Sequence, residues 1–314
     1  MRYIKDLKEG NAVCDIYLCK QKNSATTKNG KEYYNVILQD KTGSIDAKIW
    51  DTGSFGISEF ESHDFIFVNG DVTSFNGALQ VNIKQVRVAG EGEYNAAEYF
   101  PCTDKDIEEM YSELLKLIDS VKNNDLQTLL KSFFVEDEKF IAKFKECSAA
   151  KTMHHGFIGG LLEHTLSVTT MCDFYCKRYP VLKRDLLITA AICHDIGKVR
   201  EFSAFPDNDY TDEGNLLGHI VMGSEMITEA AKSIPGFSQT LLNELKHCIL
   251  AHHGKLEFGS PKTPALMEAC ALNYADDTDA KMQMFTELIN KTDTFEWLGF
   301  NRMLESNVRL THGE

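Results

Sequence analysis

Histidine and aspartate recur in the second half of this 314-residue chain at positions that should belong to the interior. His164 lies in "GGLLEHTLSV", His194-Asp195 in "AAICHDIGK", His219 in "NLLGHIVMGSEMI", His252-His253 in "HCILAHHGK" and Asp276 in "NYADDTDAKM". Each has apolar neighbours, so each is expected to point into a helical bundle. A single histidine of this kind is an ordinary core residue. Five helices that each end or interrupt an apolar face with His or Asp are different, because burying that many polar groups without partners costs several kcal/mol apiece. A shared divalent cation removes the cost. Imidazole and carboxylate together suit Mn, Fe, Zn or Mg, and the absence of thiolates disfavours a structural zinc site. Six or seven ligands favour two ions over one, and Asp195 could bridge them while His194 binds one. The chemistry such a centre performs is hydrolysis, with a metal lowering the pKa of water. Lys198, one turn beyond the His-Asp pair, could hold a phosphoryl oxygen, and Gly197 could end the helix in the left-handed conformation. His154-His155, before the glycine-rich "GFIGG", are candidates for substrate contact, and "KLEFGSPKTP" after His253 is a candidate lining for the entrance.

These ligands need helices to carry them. From Asp104 the apolar residues of "DIEEMYSELLKLIDSV" fall at helical spacing, with Thr103 as the expected cap. Helical patterns continue nearly to the end. The first ninety residues read instead as strands: "AVCDIYLCKQ", "YYNVILQD", "SIDAKIW", "FIFVNGDVTSF" and "ALQVNIKQVRV", separated by Lys28-Asn29-Gly30, Lys41-Thr42-Gly43 and Asn76-Gly77. "DTGSFGISEFES" is long enough for a short helix between the third and fourth strands. Five strands in that order predict an OB-fold barrel. The expected organisation is a barrel over 1–90, a linker over 91–103 and an all-α domain over 104–314. On the barrel, Lys48 and Trp50 fall on the strand face opposite Ile45, Ala47 and Ile49, and Tyr33 on a comparable outward face. Aromatic and basic side chains so placed suit single-stranded nucleic acid.

The bulk properties narrow the class. Net charge is −14, which argues against indiscriminate polyanion binding, but it is uneven. Residues 1–95 carry 11 basic and 13 acidic side chains, so the acidity is concentrated beyond the barrel. Nine cysteines without a C-x-x-C pair read as buried residues in a reducing compartment. No stretch approaches a membrane span and "MRYIKDLKEG" has no signal-like apolar run, so a cytoplasmic location without membrane contact is expected.

The ordered set His … His-Asp … His … His-His … Asp resembles the HD-domain superfamily of metal-dependent phosphohydrolases. "MHHGFIGGLLEHTLSV", "HDIGK", "LLGHIVMG", "AHHGKLEFGSPKTPALMEA" and "DAKM" further resemble the YhaM-type 3′-to-5′ exoribonucleases, in which an OB-fold precedes an HD domain. The resemblance spans nearly the whole chain. It implies metal ligation by His164, His194, Asp195, His219, His252, His253 and Asp276. Of these, His164, His194, Asp195 and Asp276 match the minimal HD set; His219 and His252-His253 match positions added in two-metal members. "NYADDTDAKM" departs from the usual pattern, so Asp277 rivals Asp276 as the last ligand, and Asp279 is assigned a structural or supporting place. The implied activity is metal-dependent hydrolysis of single-stranded RNA, or single-stranded DNA, from the 3′ end to 5′-mononucleotides. Two ions are expected, manganese first, with magnesium, iron(II) or zinc as alternatives. A homo-oligomer is left open. The rival functions are an HD phosphohydrolase of nucleotides or cyclic dinucleotides, and a non-catalytic nucleic-acid-binding protein.

Overall fold

The computed structural model describes residues 1–27, 30–90, 92–95, 98–151, 156–290, 292 and 294–311. His154 and His155 therefore lie outside the described residues. The chain divides into two compact units, Met1–Cys102 with Phe205–Asp207, and Thr103–Ala204 with Asn208–Glu314.

In the first unit five strands, β1 (Ala12–Thr26), β2 (Glu32–Asp40), β3 (Gly43–Ile49), β4 (Phe65–Phe75) and β5 (Ala78–Val88), close into a barrel in the order β1-β2-β3-β5-β4. Closure comes from β3 pairing parallel to β5 (Ala47 opposite Val81) and β1 pairing with β4 (Asp15 opposite Val68). β1 pairs with both β2 and β4 and has a register shift between Cys19 and Gln21. Such a shift bends a strand, as closure requires. A second irregularity at Asn69/Gly70 brings β4 against β5, where any side chain on Gly70 would collide with the Asn82 carbonyl. The period-2 pattern sends Val36, Leu38, Ile45, Ala47, Ile49, Ile66, Val68, Val72, Val81 and Ile83 inward. The short helix expected between β3 and β4 does not form. Residues 50–64 run as turns, with Gly56 at φ 101° and Ile57 bridged to Val86. Phe60, 2% exposed, packs into the barrel core from this loop.

The second unit is helical: α1 (Ile107–Asp119), α2 (Asn124–Phe134), α3 (Glu138–Glu146), α4 (Gly160–Arg178), α5 (Arg184–Cys193), α6 (Lys198–Glu201), α7 (Asp212–Lys232), α8 (Gln239–Leu250) and α9 (Met267–Asn290). Leu186 to Cys193 of α5 are all buried, the mark of a central helix. α4 and α9 flank it, and α8 packs on both α5 and α9. The first helix is capped by Asp106, whose carboxylate accepts from the Glu109 N–H, rather than by Thr103. Thr103 is turned away, donating its hydroxyl to Glu163 at 2.5 Å. Side-chain caps from Asn123, Asp137, Thr211 and Ser238 start α2, α3, α7 and α8. The helical pattern does not run to the end. A two-stranded antiparallel hairpin, β6 (Trp297–Asn301) and β7 (Ser306–Arg309), follows α9. Trp297, Phe300 and Val308 give these segments the β-branched and aromatic content of strands.

Candidate metal centre

His194 caps the C-terminal end of α5 in right-handed helical geometry. Its Nδ1 donates to the Ala191 carbonyl at 2.7 Å. A carbonyl can only accept, so the proton sits on Nδ1 and the neutral ring presents a bare Nε2. The same device recurs. His252, just beyond α8, donates from Nδ1 to the Ile249 carbonyl at 2.7 Å, and His253 to the Phe258 carbonyl at 2.9 Å. His164, on α4, donates from Nδ1 to Asp279 Oδ2 at 2.6 Å, and Ser167 holds the other oxygen of Asp279. His219, on α7, places Nδ1 3.0 Å from Glu201 Oε1. Five rings thus have Nδ1 tied to an acceptor, and this orientation of imidazole by a second partner is typical of metal ligands.

The remaining ring atoms gather around Asp195. His164, His194 and Asp276 form one group and His219, His252 and His253 another; within each, the ligand atoms lie within 4.8 Å of one another. Asp195 joins them. Its Oδ2 is 3.5 Å from His164 Nε2 and 3.4 Å from His194 Nε2, while Oδ1 is 3.4 Å from His219 Nε2 and 3.7 Å from His252 Nε2. Asp276 Oδ1 stands 3.1 Å from His164 Nε2. Asp277, its rival, points away into an ion pair with Lys281 at 2.7 Å. The structure therefore brings together all seven expected ligands, with Asp276 rather than Asp277 on the inner face of α9.

The donors fit divalent cations. Asp195 Oδ1, His219 Nε2 and His252 Nε2 are buried and have no hydrogen-bond partner among the described residues. Three such atoms aimed at one another would be costly. His164 Nε2 and His194 Nε2 also lie 3.1 Å apart, close enough to share one cation once His164 gives up its proton. The charge states suit this. Burial opposes ionisation of Asp195, but the Lys198 ammonium outweighs it and holds the carboxyl well below the ordinary range. Asp276 is likewise depressed, its burial overcome chiefly by the hydrogen bond from His164. Burial lowers the pKa of His194, His252 and His253, keeping these rings neutral. His164 behaves differently. Burial works to lower it, but hydrogen bonds to Asp276 and Asp279 push it up to about 10.

Lys198 is half-buried, and its Nζ lies 2.6 Å from Asp195 Oδ2. Burial would lower its pKa, but Asp195 raises it. The structure thus places this ammonium on the central carboxylate. Gly197 is not left-handed: at φ −62° and ψ −24° it continues the right-handed turn into α6. It is glycine for another reason, since a Cβ there would overlap the His219 carbonyl oxygen. α6 and α7 meet backbone to backbone, and that brings His219 to Asp195. Nothing in the local sequence pattern marks Glu201 as a partner of the site. Its partner lies eighteen residues away on a different helix, so no periodicity within one element links them.

On the barrel, Tyr33 and Trp50 stack with centroids 4.9 Å apart, and Lys48 Nζ lies 5.8 Å from the Tyr33 centroid. Lys48 is also hydrogen-bonded to Asn35, and Trp50 Nε1 donates to Asn82 Oδ1 at 3.2 Å. Trp50 is 47% exposed. The three residues expected to meet nucleic acid thus form one outward cluster on β2 and at the end of β3.

Fold and site together define an HD-domain hydrolase that carries an OB-fold. Residues 161–281 match the HD-domain family model and residues 20–89 that of the OB-fold nucleic acid binding domain. Over 285 residues, 90% of this chain, it is 36% identical to a Geobacillus sp. (strain WCH70) protein named 3′-5′ exoribonuclease YhaM, covering 87% of that relative. A Bacillus velezensis protein of the same name is 34% identical, covering 92% of this chain and 91% of the relative. The chain belongs to the YhaM 3′-5′ exoribonuclease family. Among solved structures, the second OB-fold domain of replication protein A from Methanococcus maripaludis aligns over 29% of this chain and 96% of its own, at 19% identity and a TM-score of 0.24, too slight a likeness to argue from.

Proposed function

We propose that this enzyme hydrolyses single-stranded RNA, or single-stranded DNA, from the 3′ end to 5′-mononucleotides, using two divalent cations with manganese first. The observation that carries the two-ion reading is Asp195, whose two oxygens face different histidine groups. His164, His194 and Asp276 with Asp195 Oδ2 would hold one ion; His219, His252 and His253 with Asp195 Oδ1 would hold the other. Bound there, the ions supply an activated water and neutralise charge on the phosphate. The protein's own part is positional. Acceptors on Nδ1 keep the rings turned inward, and Lys198 keeps Asp195 ionised and can turn toward a phosphoryl oxygen. On the barrel, Tyr33 and Trp50 offer faces for unpaired bases and Lys48 a charge for the backbone. Duplex offers no free base faces, so degradation should stall there.

The test is incubation of the protein with 5′-labelled single-stranded RNA, with Mn²⁺ or with chelator. A ladder shortening from the 3′ end, 5′-mononucleotide products and silence with chelator are expected. Cleavage of circular RNA, or 3′-phosphate products, would overturn the reading.

A further inference from the structure

Glu201 closes α6 and is 5% exposed. Its Oε1 makes two contacts with one residue, 2.9 Å from the His219 backbone N–H and 3.0 Å from His219 Nδ1. The backbone explains the first. α7 breaks at Gly218, at φ 73° and ψ 156°, so His219 begins a new helical segment whose N–H needs an acceptor from outside the ladder. Glu201 is itself fixed in place. Its carbonyl accepts from the Thr211 N–H at 2.9 Å and from Thr211 Oγ1 at 3.2 Å, and the absence of a side chain at Gly214 lets α7 lie against that carbonyl. Among the described residues, His219 is the one side chain in ion-pair reach of the Glu201 carboxylate. A simple helix cap is served by an exposed hydroxyl or carboxylate; a buried anion needs a positive partner. Lys198 supplies part of that charge from nearby without an ion pair, and a cation ligated through His219 Nε2 would add to it.

The two halves of the centre differ here. In the first, the anionic hold is Asp279 on His164. In the second, His252 and His253 lean on neutral carbonyls, and Glu201 alone gives an anionic hold. We propose that Glu201 is a positioning residue that sets cation affinity at the His219-His252-His253 half without setting it at the other, so that occupancy of the two halves is separately controlled. The proposal rests on the two-ion reading above. An anionic acceptor on Nδ1 makes Nε2 more basic, and the shared oxygen locks ring and main chain together, aiming Nε2 at Asp195 Oδ1 3.4 Å away.

The test uses the full chain titrated with Mn²⁺ alone, followed by calorimetry and electron paramagnetic resonance. Wild type should bind two ions that give a spin-coupled spectrum. Glu201→Ala should weaken one site by on the order of 100-fold and Glu201→Gln, which keeps an acceptor oxygen, by about 10-fold. At limiting Mn²⁺ the spectrum should become that of isolated ions, with the tighter site unchanged. Asp279→Asn should weaken the opposite site. If Glu201→Ala fails to fold by circular dichroism, Glu201→Gln decides. Two ions bound by Glu201→Gln with wild-type affinity, or equal weakening of both sites, would overturn the proposal and leave the two-ion reading standing. A single ion in wild type would overturn the two-ion reading and the proposal with it.

Discussion

Asp195 sits where removal should be felt on both sides of the centre. Asp195→Ala takes one donor from each half and leaves the half-buried Lys198 without its carboxylate. Loss of metal-assisted charge stabilisation is worth several kcal/mol, so hydrolysis should fall by at least roughly a thousandfold. Bound metal after dialysis should fall as well, with helical circular dichroism retained; wild-type turnover and metal content would refute the assignment. His164 gives a pH prediction. Its folded pKa of about 10 exceeds its ordinary 6.5. In metal-free protein it therefore contributes stability that is fully present below about pH 6.5 and lost as pH rises toward 10. Asp195 and Asp276 are depressed, so their contribution is present above the ordinary carboxylate range and lost on acidification. The melting temperature in chelator should drop on both flanks. With Mn²⁺ the alkaline drop should shrink, because the ion takes the proton's place, and binding at pH 8 should release about one proton from His164. A melting temperature in chelator that stays flat from pH 6.5 to 9 would contradict this. At this scale the ligand types were legible in the sequence because histidines flanked by apolar residues stand out. The choice between Asp276 and Asp277 was not legible, since adjacent residues differ only in the helix face they take. Glu201 was hidden for the reason given by Gly218: a backbone break makes the contact.

At the level of elements, the site depends on how closely α6 and α7 approach. Gly197→Ala would drive a methyl group into the His219 carbonyl, a backbone atom that no rotamer change can move. We expect destabilisation of about 1–3 kcal/mol and weakened metal binding at the His219 half, read by thermal melting and Mn²⁺ titration. An unchanged melting temperature would show that the two backbones part freely. Strands were the most legible elements. The "FIFVNGDVTSF" and "ALQVNIKQVRV" stretches are β4 and β5, since alternation bounded by an Asn-Gly turn leaves few alternatives. Loops and ends were less so. Residues 51–62 are long enough for a short helix, but glycines and a buried Phe60 make a looped plug instead. The terminal hairpin was hidden because its strands are only five and four residues long. Thr103 and Asp106 are both good caps, and the sequence could not say that Glu163 would claim Thr103.

For the whole molecule, two compact units each have their own core, and the chain's acidity is concentrated beyond the barrel. No helix among the described residues is long and apolar enough to cross a membrane. If the barrel cluster holds the strand, Tyr33→Ala or Trp50→Ala in the full chain should weaken binding of long single-stranded RNA. Stacking is worth roughly 1–3 kcal/mol per base, which is about 5- to 150-fold in Kd. Hydrolysis of a small phosphodiester should be little changed, and equal loss of both would sink the division of labour. The chemistry itself depends on the metal centre. The most direct measurement is anomalous diffraction at the manganese edge from crystals of Mn²⁺-loaded protein. Two peaks are predicted, one among His164, His194, Asp276 and Asp195 Oδ2, the other among His219, His252, His253 and Asp195 Oδ1. A single peak, or none touching Asp195, would contradict the account.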